Sequence, residues 1–330
     1  MTRVVEVPEG RSPYDRVPDA LMADFRAARE RFVRGDHAPA RAGFERLLVR
    51  APDVMPFGVW WQESEAWLSD PQTLRRRSEE RAVLAPGVVS ELLAARAQTD
   101  SAAAEAWLAR AEARDPDCVW VHHARAFLAL RDGRIDEARL ALERALASDP
   151  GHLPARRLEV RILVRDGATE AARMRLSGWL ERAASDPRVL PGEVAEARLD
   201  AALLALATDD IGRAEHELDL LDPEQVEAWR LAALRACVAR ERGDVAGARR
   251  YVDAARAQAP REILPAVQEA LLFDEGGRDP FRARAAWVVV RELAAGSDDL
   301  AGAFETLRAR VRLERIDRQA AAAERAGAAR

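Results

Sequence analysis

The chain has 330 residues, of which 48% are hydrophobic and only 5% aromatic, and its net charge is −5. A negative balance gives no overall attraction to nucleic acid or to an anionic membrane surface. No apolar run approaches the roughly 18 residues that span a bilayer, and the N-terminus lacks the apolar core of a signal peptide, so we expect a cytoplasmic protein without membrane insertion.

Residues 1–17 mix prolines and charges and predict a flexible lead-in. The first helix is expected to start after Pro18, with Asp19 as its N-cap. From there, segments with apolar residues at helical spacing alternate with tight turns, and a proline closes most helix pairs. These prolines lie 30 to 37 residues apart and are Pro52, Pro86, Pro116, Pro150, Pro187, Pro223 and Pro260.

The second and third pairs have turns without glycine. In the second pair the turn is Ser69-Asp70-Pro71. In the third pair Thr99-Asp100-Ser101 replaces the glycine turn and is predicted to cap the helix that follows. Trp60, Trp61 and Trp67 lie close together in the second pair. They either form an aromatic wall for a ligand or fill the core between the first helix pairs, and the core interpretation is favoured.

The fourth pair, Val119–Gly151, is the most regular. Small residues occupy helical positions where two helices must approach closely, a Gly133 turn joins the helices, and Pro150 ends the second near Ser148. Glycines recur at the same turn in other pairs, and we interpret all glycines as turn residues. The turn glycines are Gly35, Gly133, Gly167 and Gly243.

This fourth pair resembles a tetratricopeptide repeat. The residues at that family's signature positions are Ala126, Gly133, Ala138, Leu142, Ala145 and Pro150. The resemblance extends over about residues 18–295 and implies an all-α fold. That fold is an α-solenoid of about eight antiparallel helix pairs in a right-handed superhelix. We assign residues 18–297 to the solenoid and 298–330 to a capping helix with a frayed tail.

The later pairs depart from the pattern in two places. The sixth pair carries an acidic run that we expect to face only Arg213, as a solvated surface or a docking site for a basic partner. Its members are Asp209, Asp210, Glu215, Glu217, Asp219 and Asp222. In the eighth pair Gly276-Gly277 and Pro280 predict either a longer turn or a second helix that starts at Asp279.

No motif for catalysis or cofactor binding occurs. The chain has no Lys, so a standard phosphate-binding P-loop cannot form, and no histidine belongs to a zinc-protease or triad pattern. Cys118 and His122 could share a helix face, but two ligands are too few for a metal. Cys118 and Cys237 alone imply no disulfide framework. We expect a non-enzymatic protein without cofactor or metal.

In tetratricopeptide proteins the first helices of successive repeats line a concave groove that binds a partner peptide. The resemblance places Trp120, His123, Phe127 and Arg131 of the fourth pair, and Arg157, Arg161 and Arg165 of the fifth, in that groove. A carboxylate-bearing protein segment would neutralise the arginines, and the aromatic residues would anchor it. The family's clamp for a C-terminal carboxylate uses Lys and Asn, which are absent, so an acidic segment is the expected partner.

Other interpretations stay open from the sequence. The arginine row could be a solvated stripe paired with Glu159, Asp166 or neighbouring carboxylates. The protein could instead sense a small molecule, with the tryptophans as the pocket wall, or serve as a structural subunit. Association with its own copies or with other chains is equally open.

Overall fold

The computed structural model describes residues 17–183, 189–208, 210–275 and 280–295, with residues 313, 316 and 317. These parts of the chain contain sixteen helices and no strand, which confirms the all-α prediction. The helices are α1 (Asp19–Val33), α2 (His37–Arg50), α3 (Met55–Leu68), α4 (Pro71–Leu84), α5 (Val88–Arg96), α6 (Ser101–Arg114), α7 (Val119–Arg131), α8 (Ile135–Ser148), α9 (Leu153–Arg165), α10 (Thr169–Ala183), α11 (Pro191–Ala207), α12 (Ile211–Asp219), α13 (Ala228–Glu241), α14 (Val245–Gln258), α15 (Ile263–Glu275) and α16 (Pro280–Ala295).

The turns between paired helices follow the sequence closely. Gly35, Gly133, Gly167 and Gly243 all have positive φ, between 75° and 87°, a conformation that disfavours a side chain. Helix α8 ends at Ser148 as predicted. In the eighth pair the second helix is described from Pro280, while Asp279 and the rest of that turn lie outside the described residues.

Side-chain caps explain where several helices begin. The carboxylates of Asp70, Asp100, Asp210 and Asp244 each accept a backbone N–H in the first turn of the following helix. The prediction that Asp19 is an N-cap was wrong: Pro18 holds that position without a side-chain bond, and Asp19 is the first helical residue. The negative charge of Asp19 still interacts favourably with the positive, N-terminal end of the helix dipole.

Six glycines lie inside the described helices, which corrects the interpretation that every glycine is a turn residue: Gly43, Gly58, Gly178, Gly192, Gly212 and Gly247. Two of them, Gly43 and Gly58, lie where neighbouring helices meet. At Gly43 of α2 an added Cβ would lie 2.9 Å from the Cβ of Ala28 in α1. At Gly58 of α3 it would lie 2.8 Å from a methyl group of Leu93 in α5. Both glycines therefore allow close approach of neighbouring helices.

The chain divides into two compact units, and the division falls within α11. Unit 1 comprises Met1–Ala201 with Glu224–Glu227, and unit 2 comprises Ala202–Pro223 with Ala228–Arg330. Two of the predicted segments lie wholly or mostly outside the described residues: residues 1–16 of the lead-in and most of the C-terminal segment 298–330. The assignments of a lead-in and a capping helix stay predictions.

In unit 1 the first helices of successive pairs also contact one another: α1 with α3, α3 with α5, α5 with α7, and α7 with α9. We call the surface that these five helices form the first-helix face.

The tryptophans of the second pair are part of the core of unit 1, as favoured. Trp61 is 3% exposed. Trp60 contacts Phe32 edge-on with ring centroids 5.2 Å apart, and Trp67 stacks on His37 at 4.6 Å. These contacts hold the first two pairs together.

Unit 2 contains a cluster around Trp287, which is fully buried. Leu313 and Ile316, within the predicted capping helix, belong to this cluster. The prediction that the acidic run faces only Arg213 was wrong, because Glu215 forms an ion pair with Arg242. Of the run's other members, Asp209 lies outside the described residues.

None of the helices in the described parts of the chain is long and apolar enough to cross a membrane.

Candidate functional site

The predicted groove residues lie on α7 and α9, whose starts are fixed by local sequence. Cys118 precedes the first residue of α7, and His152 caps α9, where its Nδ1 accepts the N–H of Ala155 at 3.3 Å. Within α7, positions 120, 123, 127 and 131 share one side because they are three or four residues apart.

Trp120, His123 and His152 form an aromatic cluster where α7 and α9 meet. The Trp120 and His152 rings are 4.3 Å apart and those of His123 and His152 are 5.6 Å apart, both edge to face. Since Nδ1 of His152 accepts a hydrogen bond, its proton resides on Nε2 in the neutral tautomer. His152 is 2% exposed, and Nε2 has no hydrogen-bond partner among the described residues.

Burial lowers the pKa of both imidazoles, and at His123 neighbouring arginines lower it further. Burial, followed by the charges of Arg96 and Arg161, lowers the pKa of His123 to about 3. Burial, with a smaller contribution from His123, also lowers the pKa of His152 well below its usual value. The cluster is therefore an apolar, uncharged platform at neutral pH.

Arg157 is neutralised by carboxylates of the same chain. Its Nη2 donates to Asp200 Oδ1 at 3.0 Å, its Nε donates to Asp200 Oδ2, and its Nη1 lies 3.4 Å from Glu196 Oε2. Burial lowers the pKa of Arg157, but the two carboxylates outweigh this and raise it above its usual value. Glu196 and Asp200 are four residues apart in α11 and therefore share a helix face.

The other arginines differ in their surroundings. Arg131 donates to Ser101 Oγ at 2.8 Å and to the carbonyl of Gln98 at 3.1 Å. Arg165 donates to the carbonyl of Leu130 at 3.2 Å. Arg161 is exposed, and Phe127 is 38% exposed. Phe127 on α7 and Arg161 on α9 therefore present side-chain surface to solvent.

The two carboxylates named in the alternative interpretation of the arginine row form their ion pairs with other arginines. Glu159 forms an ion pair with Arg156 at 2.9 Å, and Asp166 pairs with Arg139. The neighbouring carboxylates of α11 take their place at Arg157.

At the other end of the first-helix face, α1 and α3 meet the start of α11. The Arg29 guanidinium lies over the Trp60 ring, 4.5 Å from its centroid. Gly192 is so close that an added Cβ would lie 2.1 Å from Arg29 Nη1. Burial raises the pKa of Glu193, while the N–H of Leu190 and the charge of Arg29 oppose that change.

Sequence reasoning missed His152, Arg96, Glu196 and Asp200 at this site. A histidine after Pro150-Gly151 could have been considered as a cap. The α11 carboxylates gave no local signal, because only packing brings them to Arg157.

No group of three or more His, Cys, Asp or Glu side chains in the described parts of the chain could hold a metal ion. Cys118 is half-buried, and burial raises the pKa of its thiol.

Sequence comparison agrees with the helix-pair architecture. Residues 129–190 match the sequence profile of the tetratricopeptide repeat. The chain carries tetratricopeptide repeats. No curated protein matches the chain in sequence.

Solved tetratricopeptide structures share the fold. The Cut9 and Hcn1 hetero-tetramer of the APC/C has a TM-score of 0.57 at 16% identity, over 90% of this chain and 56% of that one. A tetratricopeptide repeat protein from Parabacteroides merdae has a TM-score of 0.50 at 14% identity, over 89% of this chain and 100% of that one. Yeast Tom70 has a TM-score of 0.50 at 17% identity, over 86% and 59% respectively. The chain thus spans little more than half of two of these relatives.

Proposed function

We propose that this protein is a non-enzymatic, cytoplasmic adaptor that binds an acidic helical segment of a partner protein on the α7 and α9 part of the first-helix face. A tetratricopeptide scaffold generally serves protein interaction, and this proposal assigns the surface and the chemistry of the partner.

The observation that carries the proposal is the binding of α11 by Arg157. A guanidinium on this face already holds two carboxylates spaced four residues apart on a helix. Arg161 lies one turn further along α9 and is exposed. A partner helix with the same carboxylate spacing could engage it through a charge-assisted hydrogen bond.

Phe127 supplies the apolar part of the surface. Its side chain is 38% exposed on the solvent side of α7, and exposed aromatic residues at the centre of an interface commonly dominate its binding energy. The neutral Trp120 and His123 platform lies on the same side of α7. An amphipathic helix with one leucine and two carboxylates matches this combination.

The test uses a fluorescent helical peptide with a leucine and a Glu/Asp pair four positions apart. Arg161→Glu should weaken binding at least about ten-fold, because attraction becomes repulsion. Phe127→Ala should weaken it by about three- to ten-fold. Arg165 is left unchanged because its bond to the Leu130 carbonyl supports the α7–α8 turn.

Matched controls come from α8, the other helix of the same repeat. Arg144→Glu and Leu140→Ala change an exposed arginine and an exposed leucine there and should leave peptide affinity unchanged. Equal loss in the α8 and the α7/α9 variants would refute the assignment of the surface.

A further inference from the structure

Part of the first-helix face is covered by the chain itself. The turn Leu190–Glu193, which we call the cover turn, lies over Arg29 of α1, and Arg29 lies over Trp60 of α3. Leu190 is 6% exposed and belongs to the apolar cluster built by helices α1 to α3 and α5 to α7. All these residues belong to unit 1.

Arg29 has the features of a binding group rather than of an ordinary surface arginine. It is 9% exposed, and its Nε has no hydrogen-bond partner within the described chain. No ion pair joins it to any described carboxylate. Its surroundings there are the Trp60 ring, the backbone at Gly192 and the longer-range charge of Glu193. A buried guanidinium without a direct counter-charge is costly, so an anion placed against it would be bound strongly.

Leu190 and Glu193 are held as one unit at the start of α11. The N–H of Leu190 donates to Glu193 Oε2 at 2.9 Å, which is the backward half of a capping box. The turn therefore offers an apolar side chain and a carboxylate three residues apart at a helix start. Gly192 between them lets the backbone approach the guanidinium, because any larger residue would collide with it.

We propose that the cover turn is an internal ligand mimic, and that the surface of Arg29 and Trp60 beneath it binds a segment of a partner protein with the same chemistry. That segment starts a helix and carries an apolar residue, a glycine two positions later and a carboxylate three positions later. The partner and the cover turn then compete for one surface. This inference rests on the proposed binding of an acidic segment and adds a second, regulated contact to it.

A single methyl group added at Gly192 should shift the competition between the cover turn and the partner segment. Gly192→Ala places a Cβ 2.1 Å from the present position of Arg29 Nη1, so the guanidinium must move away from the backbone of the cover turn. Gly178→Ala in α10 is the matched control, since a Cβ there meets only Arg182 Nη1 at an ordinary 3.6 Å. Glu193→Gln is a milder second variant, which keeps an acceptor for the Leu190 N–H and removes only the charge.

The probe is a labelled peptide copying residues 189–201, with its counterparts of Glu196 and Asp200 changed to Gln and Asn. Fluorescence anisotropy should show at least about ten-fold tighter binding to the Gly192→Ala chain than to the wild type or Gly178→Ala. Glu193→Gln should give a smaller gain in the same direction. Adding Arg29→Gln to Gly192→Ala should remove the gain, and circular dichroism should show equal helicity throughout.

The same weak binding to wild type, Gly178→Ala and Gly192→Ala would overturn the inference, as would a gain that persists with Arg29→Gln. The proposed function fails separately, because its peptide depends on Phe127 and Arg161. If that peptide binds and the cover peptide does not, only the ligand mimic is excluded. If the cover peptide binds through Arg29 while Arg161→Glu has no effect on the other peptide, the assignment to α7 and α9 is excluded instead.

Discussion

The two halves of unit 1 build the same helix pairs from different cores. In the first pairs, Phe25 packs against Phe44 and Phe57 with ring centroids 5.9 and 5.1 Å apart. In the fourth and fifth pairs, the core is made mainly of alanine and leucine. Its members are Ala126, Ala129, Leu130, Ala138, Ala141, Leu142, Ala145, Ala155, Leu158 and Ile162.

The sequence profile matches residues 129–190, which cover most of the alanine and leucine region. The first pairs keep small residues at helix crossings, such as Ala28, Ala40 and Gly43, and pack large aromatic rings beside them. They also bury polar groups: Glu65, whose side chain is inaccessible, is paired with Arg41 at 3.3 Å and with Arg77. The fold therefore accommodates two kinds of core in successive helix pairs.

We expect the largest loss of stability when a ring is removed from the aromatic core. Phe44 is fully buried, so Phe44→Ala should reduce the free energy of unfolding by about 3–5 kcal/mol. Val49→Ala on the same helix, at a position 75% exposed, should change it by less than about 0.5 kcal/mol. Urea unfolding followed by circular dichroism measures both, and similar losses would show that the aromatic cluster is not the core of these pairs.

The alanine core should be destabilised by the opposite change, in which a small buried side chain is replaced by a larger one. Ala138 is fully buried at the crossing within the fourth pair, and Ala138→Leu should cost about 1–3 kcal/mol because the helices must separate. Ala147→Leu, at an exposed position of the same helix, serves as the control. An Ala138→Leu chain as stable as the wild type would contradict close helix packing here.

The second region should also carry a pH dependence through His123 and His152. Their pKa values are lowered, to about 3 for His123, so the unfolded chain binds protons that the folded chain does not. Stability is then complete above the usual histidine pKa of 6.5 and falls as pH drops towards 3. The slope is at most about 1.4 kcal/mol per pH unit and histidine. Thermal melting from pH 7 to pH 5 should show a smaller decrease for His152→Gln than for the wild type, whereas equal decreases would contradict this.

The smallest effect is expected at the glycine turns, which both regions contain. Gly35 and Gly133 have φ values of 87° and 78°, and an added Cβ would meet nothing within 4 Å at Gly35 and only Arg165 Nη2, at 3.8 Å, at Gly133. Gly→Ala should therefore cost about 1–2 kcal/mol at each turn through backbone strain alone. The two losses, measured by urea unfolding, should agree within about 0.5 kcal/mol. A much larger loss at one turn would mean that the turns are not equivalent.

The sequence predicted the features that depend on local chemistry. Gly133 and Pro150 determined the turn before α8 and the end of α8, and Asp100 determined the start of α6, because each acts on the next few backbone bonds. It did not predict which charges meet across repeats. The pairing of Arg157 with Asp200, and the contact of Arg29 with Gly192, depend on how successive helix pairs stack, which no short segment encodes.

The proposed binding surface is tested most directly by amide hydrogen exchange of the full chain with and without the acidic helical peptide. We expect slower exchange in Val119–Arg131 and Leu153–Arg165, the first helices of their repeats, with little change in Ile135–Ser148 and Thr169–Ala183. Protection confined to those two second helices, or no protection in α7 and α9 at saturating peptide, would contradict a binding surface on the first-helix face.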